Sequence, residues 1–453
     1  MPPEILLNQQ DTAAEIRNKR LRYAIVSSFG SKITTAVLQL VALPIAVNAL
    51  GKEQFILYAM LSSAVGWISM ANIGIGPALI VNIASAAARG ARETEERLFT
   101  SALMPILLIV MLLGTGLFIL INFIAVGNIF GANYVVYTDT IKRGLFLLSA
   151  LVLLQSILSV IEAAQSGYQE QYIVNLTGMI GNFISIGAII IVAKYGPSVV
   201  GMILAVNASP FIVRTINAAY FFIKRSFLLP KKNKFSWDDC KHLLGNGFSF
   251  SLAGGLGNFL CHVFPIILVG RTLSAQSSAA FVVSMNALII ASGVIIMLTT
   301  PLWPAFADSL VHNDVRWAQR TYHRMLLYGM AYAGLVGLVL ALLGRDIFLL
   351  WFGGSIHANL KLTFSLGLYF ILLSWENIHF TILIGAKDIW RPSILYLVRS
   401  LLSVGVMSVM IRNVGESGPF WALCGSTILV TIIPFTYLVR RYLSDKVAYG
   451  AAN

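Results

Sequence analysis

The chain has 453 residues, of which 57% are hydrophobic and 11% charged, with a formal net charge of +13 and a mean hydropathy of +0.80. A soluble protein carries about 25% charged residues, so a soluble domain is excluded. Apolar stretches of about 20 residues recur along the whole length and predict an all-α polytopic membrane protein.

Residues 1–22 are mostly polar and end in the basic run Arg17, Lys19, Arg20 and Arg22. They lack a short apolar core before a small-residue cleavage site, so a cytoplasmic tail rather than a cleavable signal is expected. Twelve transmembrane helices are predicted at about 23–49, 55–84, 100–126, 141–165, 172–193, 199–223, 243–270, 279–306, 323–344, 359–384, 392–411 and 418–438. The longest inner loop, 224–242, carries Lys224, Arg225, Lys231, Lys232, Lys234 and Lys241. It divides an N-lobe of six helices, 23–223, from a C-lobe of six helices, 243–438, followed by a cytoplasmic tail at 439–453.

The positive charge follows this topology. Of 32 Lys and Arg, eight fall in loops on one side: Lys52, Lys142, Arg143, Lys194, Arg271, Arg345, Lys361 and Arg412. Three lie within spans, and the other 21 lie on the opposite side with both termini. By the positive-inside rule that side is cytoplasmic. Basicity therefore reports orientation in a plasma membrane, and no nucleic-acid partner is expected.

The halves share sequence marks at a nearly constant offset. Phe29 and Pro44 recur as Phe250 and Pro265, and Gly76-Pro77 as Thr300-Pro301. Gly167-Tyr168-Gln169-Glu170 recurs as Gly385-Ala386-Lys387-Asp388, and Gly196 as Gly415. Two copies with an even number of spans enter from the same side, which predicts lobes related by a pseudo-two-fold axis along the membrane normal, with a site between them. Pro44, Pro265, Pro301 and Pro304 each tend to kink a span.

Three lone cations sit within spans, Lys32, Arg214 and Arg399, each roughly 15 Å deep at 1.5 Å per residue. A cation there costs about 2.5–3.5 kcal/mol on insertion scales and usually faces protein or a watered cavity. Lys32 shares a helical face with Ser28, Thr35 and Gln39, Arg214 with Asn207 and Asn217, and Arg399 with Tyr396 and Ser403. Set against one deeply placed carboxylate, Glu376, the three predict a cavity built to hold an anion. The alternatives are snorkelling for Lys32 and a helix–helix ion pair for either arginine. Asn72, Asn82 and His262 are further candidates to line the cavity. Glu376 and His379 stand i, i+3 on one face and are candidates for ion coupling or for neutralising one of the cations. Glu162 and Asp308 lie near inner span ends and read as interfacial.

Nothing in the chain points to catalysis or a cofactor. There is no Walker sequence, no nucleotide-binding glycine loop and no metal-ligand cluster. Cys240, Cys261 and Cys424 are too scattered for a disulfide frame or metal site and read as small apolar filler.

Several motifs give the chain a wider likeness. Ala49-Leu50-Gly51-Lys52-Glu53-Gln54-Phe55, Asn72-Ile73-Gly74-Ile75-Gly76-Pro77-Ala78, the Gly167-Tyr168-Gln169 turn with Asn175, and the Gly385-Ala386-Lys387 turn stand in order along it. In these the chain resembles the Wzx-type polysaccharide flippases of the multidrug/oligosaccharidyl-lipid/polysaccharide exporter (MOP) superfamily. That family often has a basic residue soon after the first-half glycine turn, where this chain has Glu170 and Gln171. The resemblance implies two six-helix lobes around a central cavity, no enzymatic activity, and alternating access coupled to an H+ or Na+ gradient. It implies an undecaprenyl-pyrophosphate-linked oligosaccharide as substrate, with membrane lipid and other polysaccharide assembly proteins as partners in a bacterial inner membrane. Lys32, Arg214 and Arg399 would then meet the phosphates. A cation-coupled drug exporter of the same superfamily would be expected to use acidic cavity residues. A membrane polymerase or ligase of lipid-linked sugars would need larger outer loops with paired carboxylates.

Overall fold

The computed structural model describes residues 3–69, 75–250, 256–299, 302, 306, 315–386, 388 and 390–444. Asn72, Pro301, Pro304, Asp308, Lys387 and the tail beyond 444 lie outside the described residues. Among the described residues the chain is helical throughout, with no strand. Membrane burial dictates this, because only helices and closed barrels satisfy every backbone group without water.

The helices are α1 Pro3–Ser69, α2 Ile75–Ala88, α3 Arg92–Phe123, α4 Thr138–Gly167, α5 Gln171–Tyr195, α6 Val199–Lys224 and α7 Trp237–Phe250, then α8 Phe264–Thr272, α9 Ala275–Thr299, α10 Val315–Trp351, α11 Leu360–Gly385, α12 Trp390–Val414, α13 Gly418–Thr427 and α14 Ile433–Tyr442. Nine apolar segments among the described residues are long enough to cross a membrane. The first is bent at Gly51, whose φ of 71° only a glycine adopts cheaply, so the chain turns there into the next span. The last, Trp390–Tyr442, holds two spans, and Ile75–Ala88 and Leu256–Thr272 complete the second and seventh. The expected twelve-span layout is thereby met. Much of the outer surface is apolar; Leu108, Met111, Leu112, Phe118, Ile119 and Leu120 of α3 are exposed, as lipid-facing residues should be.

Two compact units emerge. The first holds Met1–Ala49, Trp67–Ile124 and Tyr137–Phe248; the second holds Leu50–Gly66, Ala125–Val136 and Ser249–Asn453. The first packs around Leu79, Ile83, Phe99, Ile161 and Phe221, the second around Phe306, Ile382, Leu383, Phe435 and Val439.

The basic linker is fastened to the first unit. Arg97 pairs with Asp239 at 2.7 Å, Lys234 with Glu93 at 2.7 Å, and Lys231 with Glu96 at 3.5 Å. At its start, Lys224 and Arg225 both donate to Glu170, at 2.7 and 2.8 Å. Burial opposes the Glu170 charge, but these hydrogen bonds outweigh it and hold the carboxyl below its ordinary pKa. Arg225 also lies 4.0 Å from the centre of the Tyr168 ring, and the Tyr168 hydroxyl donates to Glu95.

The turn that carries Glu170 has an internal echo. Tyr168 and Glu170 amides donate to the Ala164 and Gln165 carbonyls, closing α4. In the second unit Ala386 and Asp388 amides donate to Ile382 and Leu383 in the same pattern. Each turn ends in a carboxylate that grips a residue 54 positions later at the end of a span, Lys224 in one case and Tyr442 in the other. The repeat read in the sequence thus recurs as hydrogen bonds.

Candidate functional site

In the first unit, α1 and α5 face each other along a polar seam. Asn175 Nδ2 donates to Ser27 Oγ at 3.0 Å, and Asn182 Nδ2 to Thr35 Oγ1 at 2.9 Å. Between them Gly178 leaves room for Ser31, whose Oγ would stand 3.5 Å from an added Cβ. Residues 27, 31 and 35 meet 175, 178 and 182 because spacings of three and four keep one face of each helix in register. Gln171 Nε2 extends the seam to Asn175 Oδ1 at 3.2 Å. Lys32 projects beside this seam. It is exposed and has no ion-pair partner among the described residues. Gln39, two turns on, is half-buried.

Arg214 on α6 is 32% exposed, and its Nε lies 3.3 Å from Glu162 on α4. Glu162, expected at the interface, is instead the partner of an intramembrane cation. The two asparagines expected beside Arg214 serve the fold. Asn217 is buried in a reciprocal amide pair with Gln165, at 2.8 and 3.2 Å. Asn207 donates to Ile203 and its carbonyl accepts from Gln155. Asn82 likewise donates to the Ala78 carbonyl of its own helix.

Arg399 on α12 has no exposed surface. Its Nη1 is 3.0 Å from Glu376 Oε2 of α11 and 3.0 Å from Thr427 Oγ1, and its Nη2 is 3.1 Å from Cys261 Sγ. Its guanidinium also lies 4.4 Å from the centre of the Tyr396 ring. Two π-helical segments, Phe259–Val263 and Ile428–Ile432, carry or adjoin these contacts. Each is closely followed by a proline, Pro265 and Pro434, whose missing N–H and ring widen the turn before it. Inside the cluster Tyr369 Oη, His262 Nδ1 and Arg399 Nε have no hydrogen-bond partner among the described residues.

This placement corrects the expectation that Arg399 faces open space. Burying a guanidinium without a counter-charge is prohibitive, and Glu376 supplies that charge within the same unit. Glu376 and His379, one face in sequence, engage different neighbours. His379 Nδ1 is 2.8 Å from the Trp375 carbonyl and Nε2 is 2.9 Å from the Tyr322 hydroxyl. His262 lies within the Arg399 cluster rather than on an open wall. Two of the three cations therefore have carboxylate partners, and Lys32 has none among the described residues. Cys261 and Thr427 were invisible as ligands in sequence, since each holds Arg399 from a different helix.

The fold is similar to that of known proteins. By structure the chain is similar to an inward-facing multidrug resistance MATE family transporter of the MOP superfamily, with a TM-score of 0.75, 16% identity, and coverage of 91% of this chain and 96% of that one. It is also similar to a Pyrococcus furiosus MOP superfamily transporter described as having a binding pocket of reversed polarity, with a TM-score of 0.66, 17% identity, and 94% and 96% coverage. In sequence it is 22% identical over 443 residues to a Salmonella typhi protein named "Putative O-antigen transporter", covering 96% of this chain and 93% of that one. The family model described as polysaccharide biosynthesis protein matches residues 22–310, well over half of the chain. By that match, the chain belongs to the polysaccharide biosynthesis protein family.

Proposed function

We propose that this protein is a transporter that flips an undecaprenyl-pyrophosphate-linked oligosaccharide from the inner to the outer leaflet of a bacterial plasma membrane. Alternating access coupled to an H+ or Na+ gradient would drive it. The observation that carries the reading is Lys32, an exposed cation six residues into the apolar segment Val26–Ser63, with no carboxylate among the described residues to neutralise it. A pyrophosphate brings about two negative charges that hydrocarbon will not accept unpaired, and a fixed ammonium offsets part of that cost. The amides and hydroxyls of Ser27, Thr35, Gln171, Asn175 and Asn182 beside it suit sugar hydroxyls. Arg214, a third exposed and only loosely held by Glu162, is the second phosphate contact. The Salmonella typhi relative, named as an O-antigen transporter, supports a lipid-linked sugar as the cargo. A cationic drug would instead call for an uncompensated acid.

The test is a liposome assay with purified protein and a defined lipid-pyrophosphate sugar, with and without an imposed proton or sodium gradient. Lys32→Ala should lose flipping and substrate binding while the protein stays folded. Lys32→Arg should keep part of both, since the charge survives. Normal binding and flipping by the alanine variant would remove the anion-carrying role and favour a drug exporter.

A further inference from the structure

The second unit contains a cleft of about 440 Å³ between α10, α11 and α14, on the side of α11 where His379 meets Tyr322. Its polar wall is made by Gln319, Tyr322, His323, Trp375, His379, Thr436 and Arg440, with no Asp or Glu among the described residues that line it. The size falls among small-molecule sites rather than water-filled gaps. Arg440 is exposed and has no ion-pair partner among the described residues. Arg320, Arg324 and Arg441 lie on the neighbouring turns of the same helices and are exposed, a fringe that raises the local concentration of anions.

The cleft is also held in shape. A carbonyl only accepts, so His379 Nδ1, 2.8 Å from the Trp375 carbonyl, carries the ring proton. Nε2 then accepts from the Tyr322 hydroxyl at 2.9 Å. The Trp375 and His379 rings lie with centres 3.8 Å apart, tilted by 31°. Gln319 Nε2 donates to the Leu443 carbonyl at 2.6 Å and ties the start of α10 to the end of α14. The result is a rigid amphipathic wall facing one uncommitted guanidinium.

We infer that this cleft binds a lipid-borne phosphate, with Arg440 donating to two phosphate oxygens and the Trp375 and Tyr322 rings packing against the group beneath. A guanidinium matches that geometry, and among the described residues no carboxylate stands in the wall to repel an anion. The phosphate has two possible sources, the headgroup of an anionic phospholipid or the pyrophosphate of a polyprenyl-linked substrate. The site does not include Lys32; a phospholipid occupant is independent of the cargo, and a pyrophosphate occupant rests on the function proposed above.

Purified full-length protein decides this by native mass spectrometry with phosphatidylglycerol or phosphatidylcholine, and by calorimetric titration with inorganic pyrophosphate. Arg440→Gln should weaken binding of the responding anion by at least about tenfold, and Arg440→Lys should fall between it and the wild type. Arg441→Gln serves as the control, because it removes an equal charge that does not line the cleft. Thr436→Phe fills the cleft without changing charge and should also abolish binding, which decides the matter should Arg440→Gln fail to fold. Arg440-dependent retention of phosphatidylglycerol alone assigns the lipid headgroup. Arg440-dependent binding of pyrophosphate assigns the substrate headgroup. Equal losses in the Arg440 and Arg441 variants, or no binding of either anion, overturn the inference.

Discussion

Removing a guanidinium from water costs several kcal/mol, and Arg399 recovers that from four helices, through Glu376, Thr427, Cys261 and the Tyr396 ring. Deleting one member of such a pair leaves the other charged and buried, at a cost of about 3–5 kcal/mol. Arg399→Met alone should therefore lower the melting temperature sharply and reduce the yield of monodisperse protein. Pairing it with Glu376→Leu should restore most of that loss, whether or not transport returns. A single variant as stable as the wild type would mean that the pair does not hold the second unit together. Spacing along the chain was enough to place this charge at depth and on a face. It was not enough to name the partner, because helix–helix contacts are set by which spans pack, and periodicity is silent on that. The same limit hid Glu162 beside Arg214, while Lys32 reads in sequence as a lone cation and in the structure is exposed with no ion-pair partner among the described residues.

Close approach of helices is governed by small residues more than by hydropathy. Where α10 crosses α11, Gly337 and Gly367 bring the backbones together, and a Cβ on Gly337 would stand 2.8 Å from the Gly367 carbonyl oxygen. A Cβ on Gly367 would meet the Gly337 carbonyl still more closely. In lipid, packing of this kind is what associates helices. Gly367→Val should destabilise by about 1–3 kcal/mol or more through overpacking, read as a lower melting temperature in detergent. Gly334→Val on α10, where nothing lies within 4 Å of an added Cβ, should be close to neutral. Equal effects at the two sites would refute the crossing. Helix positions were readable because twenty apolar residues have few other fates, and the duplicated turns at Glu170 and Asp388 were readable because glycine and acid marks survive in loops. The π-helical segments were not, since one extra residue in a turn leaves composition unchanged.

At the scale of the molecule, orientation rests on the count of cations between spans. All three cysteines are buried, so Cys240 is shielded and offers no native probe of sidedness, but the wild-type background is correspondingly quiet. Asn233→Cys, in the exposed linker, should react with an impermeant thiol reagent only after the membrane is permeabilised. Arg345→Cys, also exposed, should react in intact cells. The reverse pattern would invert the topology. The π-helical turns before Pro265 and Pro434 carry a consequence for comparing such proteins. Each added residue advances the winding by about 100°, so the part of the span ahead of Phe259 is dialled round relative to Arg399. Deleting one residue there would leave length, hydropathy and charge almost untouched, yet turn a different wall of the helix toward the same neighbours. Two relatives with indistinguishable hydropathy traces can thus differ in rotational phase, and matching them residue for residue across that turn would compare faces of one cylinder about 100° apart.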